Sequence, residues 1–88
     1  MFGAARVNSD TAGGTHLGGG QDFVKIDGDL WVLKGDSVQN HGSSPHNNAT
    51  MNEGSSFIKI DGVEVCREQH KATCNHASTG SSFLMISD

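Results

Sequence analysis

Six histidine and cysteine side chains, which are potential ligands of a transition-metal ion, lie in segments of this 88-residue chain that are rich in glycine, serine and asparagine. They are His16, His41, His46, His70, Cys74 and His76. Zinc and ferrous iron favour imidazole and thiolate donors, and a closed structural zinc site takes four of them in a tetrahedron. Because His41 is close to His46, and His70, Cys74 and His76 are close to one another, the donors of each group can reach one ion from a single loop.

Two other interpretations of these donors are open. A single loop histidine is commonly exposed and binds nothing, but six donors in the connections of a chain poor in core residues favour a bound metal. A catalytic zinc would keep an open coordination position and need a nearby acid or base. The acidic residues of the same segments are Asp10, Asp36, Glu53 and Glu68, and none belongs to a His-Glu-x-x-His pattern. A structural metal is therefore expected, with Asp10 and Asp36 capping turns and Cys66 buried on a strand.

The composition indicates that the fold needs such a metal. Hydrophobic residues make up 34% of the chain, which contains twelve glycines and one proline. A domain of this size buries only roughly two-thirds of its unfolded surface, so a metal, a disulfide or a partner is expected to stabilise it. Two cysteines are too few for a disulfide scaffold. The net charge of -4 argues against binding to nucleic acid or to an anionic membrane surface.

The sequence contains no obvious membrane or export signal. No apolar run approaches the ~20 residues that a membrane-spanning helix needs. Residues 1–6 lack the basic and hydrophobic blocks of a signal peptide. Synthesis in a cytoplasm is therefore expected.

A repeat supplies the elements that must position the donors. Residues 20–28 return almost letter for letter as residues 54–62, and residues 80–86 begin a third copy. The isoleucines of the second copy share one face while its lysine and aspartate share the other, which predicts a half-buried strand. An Asp-Gly pair ends the first two copies and favours a type I′ hairpin turn. Return strands are then expected at residues 30–33 and 63–66.

A third hairpin is predicted from the two ends of the chain. Residues 4–10 match the return strands, and residues 83–86 match the outgoing ones. Three hairpins around an approximate three-fold axis would leave no unpaired strand edge. The predicted fold class is therefore all-β, with three hairpins in a pseudo-three-fold arrangement and no substantial helix. The connections, residues 8–20, 35–54 and 68–80, would converge at the end opposite the Asp-Gly turns, and no histidine would lie on a strand.

Short phrases spread along the sequence occur in a characteristic order. They are Ala4-Ala5-Arg6-Val7, Gly35-Asp36, His41-Gly42 with Pro45-His46, Val65-Cys66-Arg67, and Cys74-Asn75-His76 with Thr79-Gly80-Ser81-Ser82. Together they resemble the PAAR-repeat family over essentially the whole chain. Two departures stand out, because the literal Pro-Ala-Ala-Arg lacks its proline and His70 stands where a second Gly-Asp would have its aspartate. The second departure leaves open whether His70 joins a metal shell.

The resemblance implies one PAAR-like spike-tip domain over residues 1–88, an all-β cone of three hairpins with a metal-bound vertex. Relatives cap the trimeric β-helical spike of a contractile injection machine, either a VgrG-type spike of type VI secretion or the central spike of a phage tail. In that family, three histidines and one cysteine hold a zinc ion near the vertex. Carried over by motif, the expected ligands of one structural metal ion are His41, His46, Cys74 and His76, with His70 and His16 in reserve.

The function that the resemblance implies is mechanical. One tip monomer per spike trimer would help to pierce the outer membrane of a target cell, without catalysis, nucleic acid or a small-molecule substrate. The protein would be made in the bacterial cytoplasm, assembled at the spike tip of a virion or secretion apparatus, and delivered out of the cell or into the target. A small metal-dependent hydrolase is the first alternative, and a metal-buffering or metal-sensing protein is the second. Phage-tail and type VI origins both fit, as do zinc and iron, although the single thiolate favours zinc.

Overall fold

The computed structural model describes residues 1–87, which form short antiparallel strands and no helix, as predicted for an all-β chain. The strands are β1 (Phe2–Gly3), β2 (Thr11–Ala12), β3 (Gly14–Gly18), β4 (Lys25–Ile26), β5 (Asp29–Leu30), β6 (Ser37–Val38), β7 (Lys59–Ile60), β8 (Val63–Glu64) and β9 (Met85–Ile86). Within the described range, no helix has the length and hydrophobicity that crossing a bilayer requires.

Two hairpins, β4–β5 and β7–β8, form where the Asp-Gly pairs predict them. The φ angles are 52° and 91° at Asp27 and Gly28, and 53° and 83° at Asp61 and Gly62. A type I′ turn requires positive φ at both central residues, which glycine and aspartate tolerate better than most. The local sequence therefore predicts these hairpins correctly, although the return strands are shorter than expected.

The two ends of the chain form a third antiparallel pair, β1–β9, in which Phe2 lies opposite Ile86. This pairing confirms that an N-terminal and a C-terminal strand come together, although β1 lies before residues 4–10, where the sequence predicts the N-terminal strand. Ile86 is buried in one cluster with Ile26 and Ile60, which occupy the same position in the other two hairpins, and with Trp31. Because one isoleucine comes from each strand pair, this cluster joins the three pairs. Burial of each isoleucine contributes roughly 1.5–3 kcal/mol to the free energy of folding.

A closed ring of three main-chain hydrogen bonds links the three segments that follow β1, β5 and β8. Ala5 N–H donates to Cys66 O at 3.1 Å, Cys66 N–H to Val32 O at 2.8 Å, and Val32 N–H to Ala5 O at 3.0 Å. We call Ala5, Val32 and Cys66 the ring residues. All three are 0% exposed. Because three backbones meet there, small side chains fill the space, and Cys66 is the small buried residue that the sequence predicts.

Asp10 and Asp36 cap the turns that leave the ring, as expected. Arg6 N–H donates to Asp10 Oδ2 at 2.9 Å, and Leu33 N–H donates to Asp36 Oδ2 at 2.9 Å. The main chain closes each turn in return, because the N–H of each aspartate donates to the carbonyl of its partner at 3.0 Å. Both carboxylates therefore accept from the backbone, although the Asp10 turn is one residue longer than the Asp36 turn. Asp10 also accepts from Arg6 Nε and from Thr79 Oγ1.

The segment of residues 8–20 is not a simple loop, which corrects the sequence prediction. β2 and β3 form a tight hairpin around Gly13, and β3 pairs with β6, placing His16 opposite Val38. His16 therefore lies on a strand, and the expectation that no histidine does so was wrong. The sequence conceals this strand because Gly13, Gly14 and Gly18 weaken the usual strand pattern.

The three connections are tied to one another next to the ring. The contact of β3 with β6 joins the first connection to the second, and a bridge between Met51 and Ala72 joins the second to the third. Thr79 N–H donates to Thr11 O at 2.9 Å and joins the third connection to the first. The core cluster beneath them combines ring residues with residues of all three connections. The three connections therefore contact one another.

Candidate metal centre

A tight turn places His41 and His46 side by side. His41 N–H donates to His46 O at 3.0 Å, and His46 N–H donates to Ser43 O at 2.8 Å. The base of this turn is anchored where Val38 N–H donates to Ala49 O at 2.9 Å, and both of those residues are buried. The two imidazoles therefore leave one compact turn whose base is packed into the core.

A second turn presents Cys74 and His76. Ala72 N–H donates to His76 O at 3.0 Å, and Asn75 N–H donates to Ala72 O at 2.9 Å. Asn75 has a φ of 72°, a conformation that asparagine adopts more readily than most residues. Since Ala72 also forms the bridge to Met51, this turn is held directly against the connection that carries the other two histidines.

The two turns bring four ligand atoms together, all within 4.8 Å of one another. The separations are 3.1 Å from His41 Nε2 to His76 Nδ1, 3.3 Å from His41 Nε2 to His46 Nδ1, and 3.8 Å from Cys74 Sγ to His76 Nδ1. The centroids of the three imidazole rings lie 5.0, 5.0 and 4.9 Å apart, which is close to an equilateral triangle. The structure thus brings together the four residues that the sequence nominates first.

Three of the six separations between the ligand atoms are close to the edges of a zinc tetrahedron. Bonds of about 2.05 Å to nitrogen and 2.3 Å to sulfur place two nitrogens about 3.3 Å apart, and a nitrogen and a sulfur about 3.6 Å apart. The observed values of 3.1, 3.3 and 3.8 Å differ from these by only about 0.2 Å. The cluster could therefore hold one metal ion. With four protein donors, a tetrahedral ion has no open position for a reacting water.

The orientation of His41 is consistent with a ligand role. Its Nδ1 lies 2.9 Å from Gln39 O, and because a carbonyl only accepts, Nδ1 must carry the hydrogen. The Nε2 lone pair therefore points at the nitrogens of His46 and His76. A ligand histidine in metal proteins commonly donates its other N–H to a carbonyl in this way, which fixes both the tautomer and the ring.

Two glycines that the sequence pattern does not single out lie against the donor atoms. A Cβ on Gly13 would overlap His76 Nδ1 and lie 2.5 Å from His41 Nε2, and the φ of Gly13 is +83°. A Cβ on Gly14 would overlap Gln39 O and lie 3.0 Å from His41 Nδ1. The first connection thus contributes bare backbone where the other two contribute ligands. In the sequence, the only signal of this close approach was the pair Gly13-Gly14 within the segment from Thr11 to Thr15.

His16, one of the two reserve ligands, lies outside the cluster. It is 0% exposed, and its Nε2 lies 2.8 Å from Ser78 Oγ. Ser78 Oγ donates its hydrogen to Thr79 O at 2.7 Å, so His16 Nε2 is the donor to Ser78. Nδ1 is then unprotonated, and it has no hydrogen-bond partner within residues 1–87. Desolvation by burial lowers the pKa of His16 to about 4, against a smaller opposing effect of Asp10.

His70, the other reserve, caps a turn instead of joining the cluster. Arg67 N–H donates to His70 Nδ1 at 3.1 Å, and His70 N–H donates to Arg67 O at 3.1 Å. The same pair of bonds connects Leu33 and Asp36 in the preceding repeat. His70 therefore takes the part of the missing aspartate, which explains its place in the sequence without a metal.

The two cysteines differ in where their sulfurs point. Cys66 Sγ donates to Glu53 O at 3.3 Å within the core, away from the histidines. Burial, followed by the charge of Asp36, raises the pKa of the Cys66 thiol, so this residue stays protonated and is a poor metal ligand. Cys74 Sγ instead lies beside His76, as the cluster requires.

The acidic residues of the connections are occupied by main-chain donors. Asp10 and Asp36 cap turns, Glu53 Oε1 accepts from Lys71 N–H at 2.7 Å, and Glu68 Oε1 accepts from Gly3 N–H at 2.8 Å. Within the described part of the chain, no carboxylate belongs to the four-residue cluster. The arrangement can bind a cation but does not place an acid or base beside it.

A scan against protein-family models found no match for this chain, and a search of the curated proteins found none either.

Proposed function

We propose that this chain is the non-enzymatic, zinc-bound tip of a trimeric β-helical spike in a contractile injection machine, of the PAAR-repeat type. The observation that carries the proposal is the combination of a closed ring with a single donor cluster. Three matched strand pairs meet in the ring, and the connections between them converge on His41, His46, Cys74 and His76. One ion could therefore fasten the whole end of the molecule.

Several features support a pseudo-three-fold cone. The ring bonds run head to tail through three matched positions, and Ile26, Ile60 and Ile86 pack together at another. The extents of the molecule along its principal axes are 32, 23 and 23 Å, so the two shorter ones are equal, as rotational symmetry about the long axis would require. A monomer with this internal symmetry suits a partner with a true three-fold axis, at one tip per trimer.

Rigidity at such a tip would come from the metal. A chain of this size with 34% hydrophobic residues has a small core. The ligands sit on turns that are otherwise joined by a few bridges, so bound zinc would add its binding free energy to the folding free energy. Three imidazoles and one thiolate are donors that suit zinc, and iron is the alternative ion.

The work of this protein would be mechanical. Contraction of the machine would drive the tip through the outer membrane of a target cell, with no turnover, nucleic acid or small-molecule substrate. We place its synthesis in the bacterial cytoplasm and its assembly at the spike of a phage tail or a type VI apparatus. Since all four loop carboxylates bind main-chain N–H groups, a hydrolase has no support from the donor cluster.

Complex formation with the spike tests the proposal. The chain would be mixed with the β-helical spike trimer encoded in the same genome, and the mass of the complex measured by light scattering after size-exclusion chromatography. One tip per trimer is expected. Elemental analysis of the same complex should give one zinc per tip. A spike trimer that never retains the tip would refute the proposed function.

A further inference from the structure

Three of the four phenylalanines are exposed, which is unusual for so apolar a side chain. Phe23, Phe57 and Phe83 are 64%, 77% and 70% exposed. The fourth, Phe2, is partly buried, with the Arg67 guanidinium 3.8 Å from the centre of its ring. Exposed apolar groups of this size commonly mark sites of protein association.

The three exposed phenylalanines, which we call the repeat phenylalanines, are held by the same local bonds. Each is the third residue after a glycine, and each main-chain N–H is bound by the side chain two residues before it. The acceptors are Gln21 Oε1 for Phe23 (2.8 Å), Ser55 Oγ for Phe57 (3.1 Å) and Ser81 Oγ for Phe83 (2.9 Å). Different acceptors thus produce one backbone geometry three times.

The residue after each repeat phenylalanine is joined to the ring in the same way. The bonds are Trp31 N–H to Val24 O (3.0 Å), Val65 N–H to Ile58 O (3.1 Å) and Ala4 N–H to Leu84 O (2.9 Å). Each donor immediately precedes a ring residue. The repeat phenylalanines are therefore placed at matched positions around the ring, one for each strand pair.

The other exposed positions near these phenylalanines are not the same in all three repeats. Two residues further along, the exposed side chains are Lys25, Lys59 and Met85. The aromatic ring is thus the surface feature that all three repeats share. Three identical anchors at matched positions can be engaged alike only by a partner that presents the same contact three times.

We propose that the repeat phenylalanines are the anchors by which this chain binds a homotrimer, one phenylalanine to each subunit around a shared three-fold axis. This inference rests on the proposed function and identifies the contact through which the spike would hold its tip. A second copy of the chain is a poorer fit, because a two-fold dimer pairs one patch with itself and would leave the three anchors in unequal surroundings. Aromatic side chains are enriched among the residues that dominate binding energy at protein interfaces.

The test uses the spike trimer of the same genome as the probe. Phe23→Ser, Phe57→Ser, Phe83→Ser and the triple variant would be titrated against it, with Leu17→Ser as control, because Leu17 is 53% exposed but belongs to no repeat position. Each single substitution should weaken binding about tenfold, and the triple variant about a hundredfold or more. Leu17→Ser should leave affinity unchanged. Since the altered side chains are exposed, zinc content and melting temperature should match those of wild type.

The possible outcomes separate the two proposals. If the wild type binds the trimer and the triple variant binds equally well, the anchor assignment is overturned while the proposed function stands. If only one phenylalanine matters, the three-fold contact is wrong. A wild type that dimerises alone, and becomes monomeric in the triple variant, would identify a second copy as the occupant. Failure of the wild type to bind the trimer would overturn both proposals.

Discussion

Replacing Gly13 by alanine should destroy the metal site without removing any ligand. The added Cβ would overlap His76 Nδ1 and lie 2.5 Å from His41 Nε2, inside the space where the donor atoms converge. Gly62→Ala is a closely matched control, because both glycines have a φ of +83° and a Cβ on Gly62 would meet nothing within 4 Å. Both variants should lose about 1–2 kcal/mol of folding stability, because alanine is strained in the left-handed backbone conformation. Only Gly13→Ala also disturbs the donors.

The size of the effect follows from the number of ligands displaced. Structural zinc binds small domains with about 10–16 kcal/mol, so each of four ligands accounts for roughly 2.5–4 kcal/mol if they share it equally. Displacement of His41 and His76 together would then cost roughly 5–8 kcal/mol. Because about 1.4 kcal/mol corresponds to tenfold, the affinity for zinc should fall at least about a thousandfold.

Competition with a chelator measures this difference directly. Purified Gly62→Ala should contain one zinc per chain and resist the chelator as wild type does, whereas Gly13→Ala should lose its zinc to it. If Gly13→Ala holds zinc as tightly as Gly62→Ala, the ion is not bound by this cluster, and the geometric reasoning fails.

Other substitutions separate ligands from bystanders and test the buried histidine. Cys74→Ser should remove the zinc while Cys66→Ser keeps one per chain, and equal metal contents in the two variants would contradict the ligand assignment. His70→Asp should retain zinc and shift the Tm by less than about 4 °C, the change expected for 1 kcal/mol in a small domain; loss of metal would make His70 a ligand. The pKa of His16 is lowered from 6.5 to about 4 by burial, so the fold favours its neutral form. Its contribution to stability is therefore complete above pH 6.5 and falls by up to about 3 kcal/mol as the pH drops to 4. Denaturant unfolding from pH 7 to pH 4 should show a steeper loss for wild type than for His16→Gln, and parallel curves would refute this account.

The hairpins could be predicted because their signals are local. The Asp-Gly pairs at Asp27 and Asp61 require only the conformations of adjacent residues, and the alternating pattern before them requires only a period of two. The pairing of the chain ends was predictable because the repeat supplied a frame for both. The strand that carries His16 was missed, since its glycines and threonines match the composition of a loop.

The donor cluster, too, could be predicted from the sequence only in part. The sequence by itself determined which residue types could bind a metal, and short spacings already grouped His41 with His46, and His70 with Cys74 and His76. It could not exclude His16 or His70, because every loop histidine has the same chemistry until its surroundings are known. Contacts between segments far apart in the chain decided which histidines join the cluster. His16 bonds to Ser78, 62 residues away, and a main-chain bridge between Met51 and Ala72 presses the two ligand turns together. Such contacts arise from how the three strand pairs close around the ring, so no local pattern could reveal them.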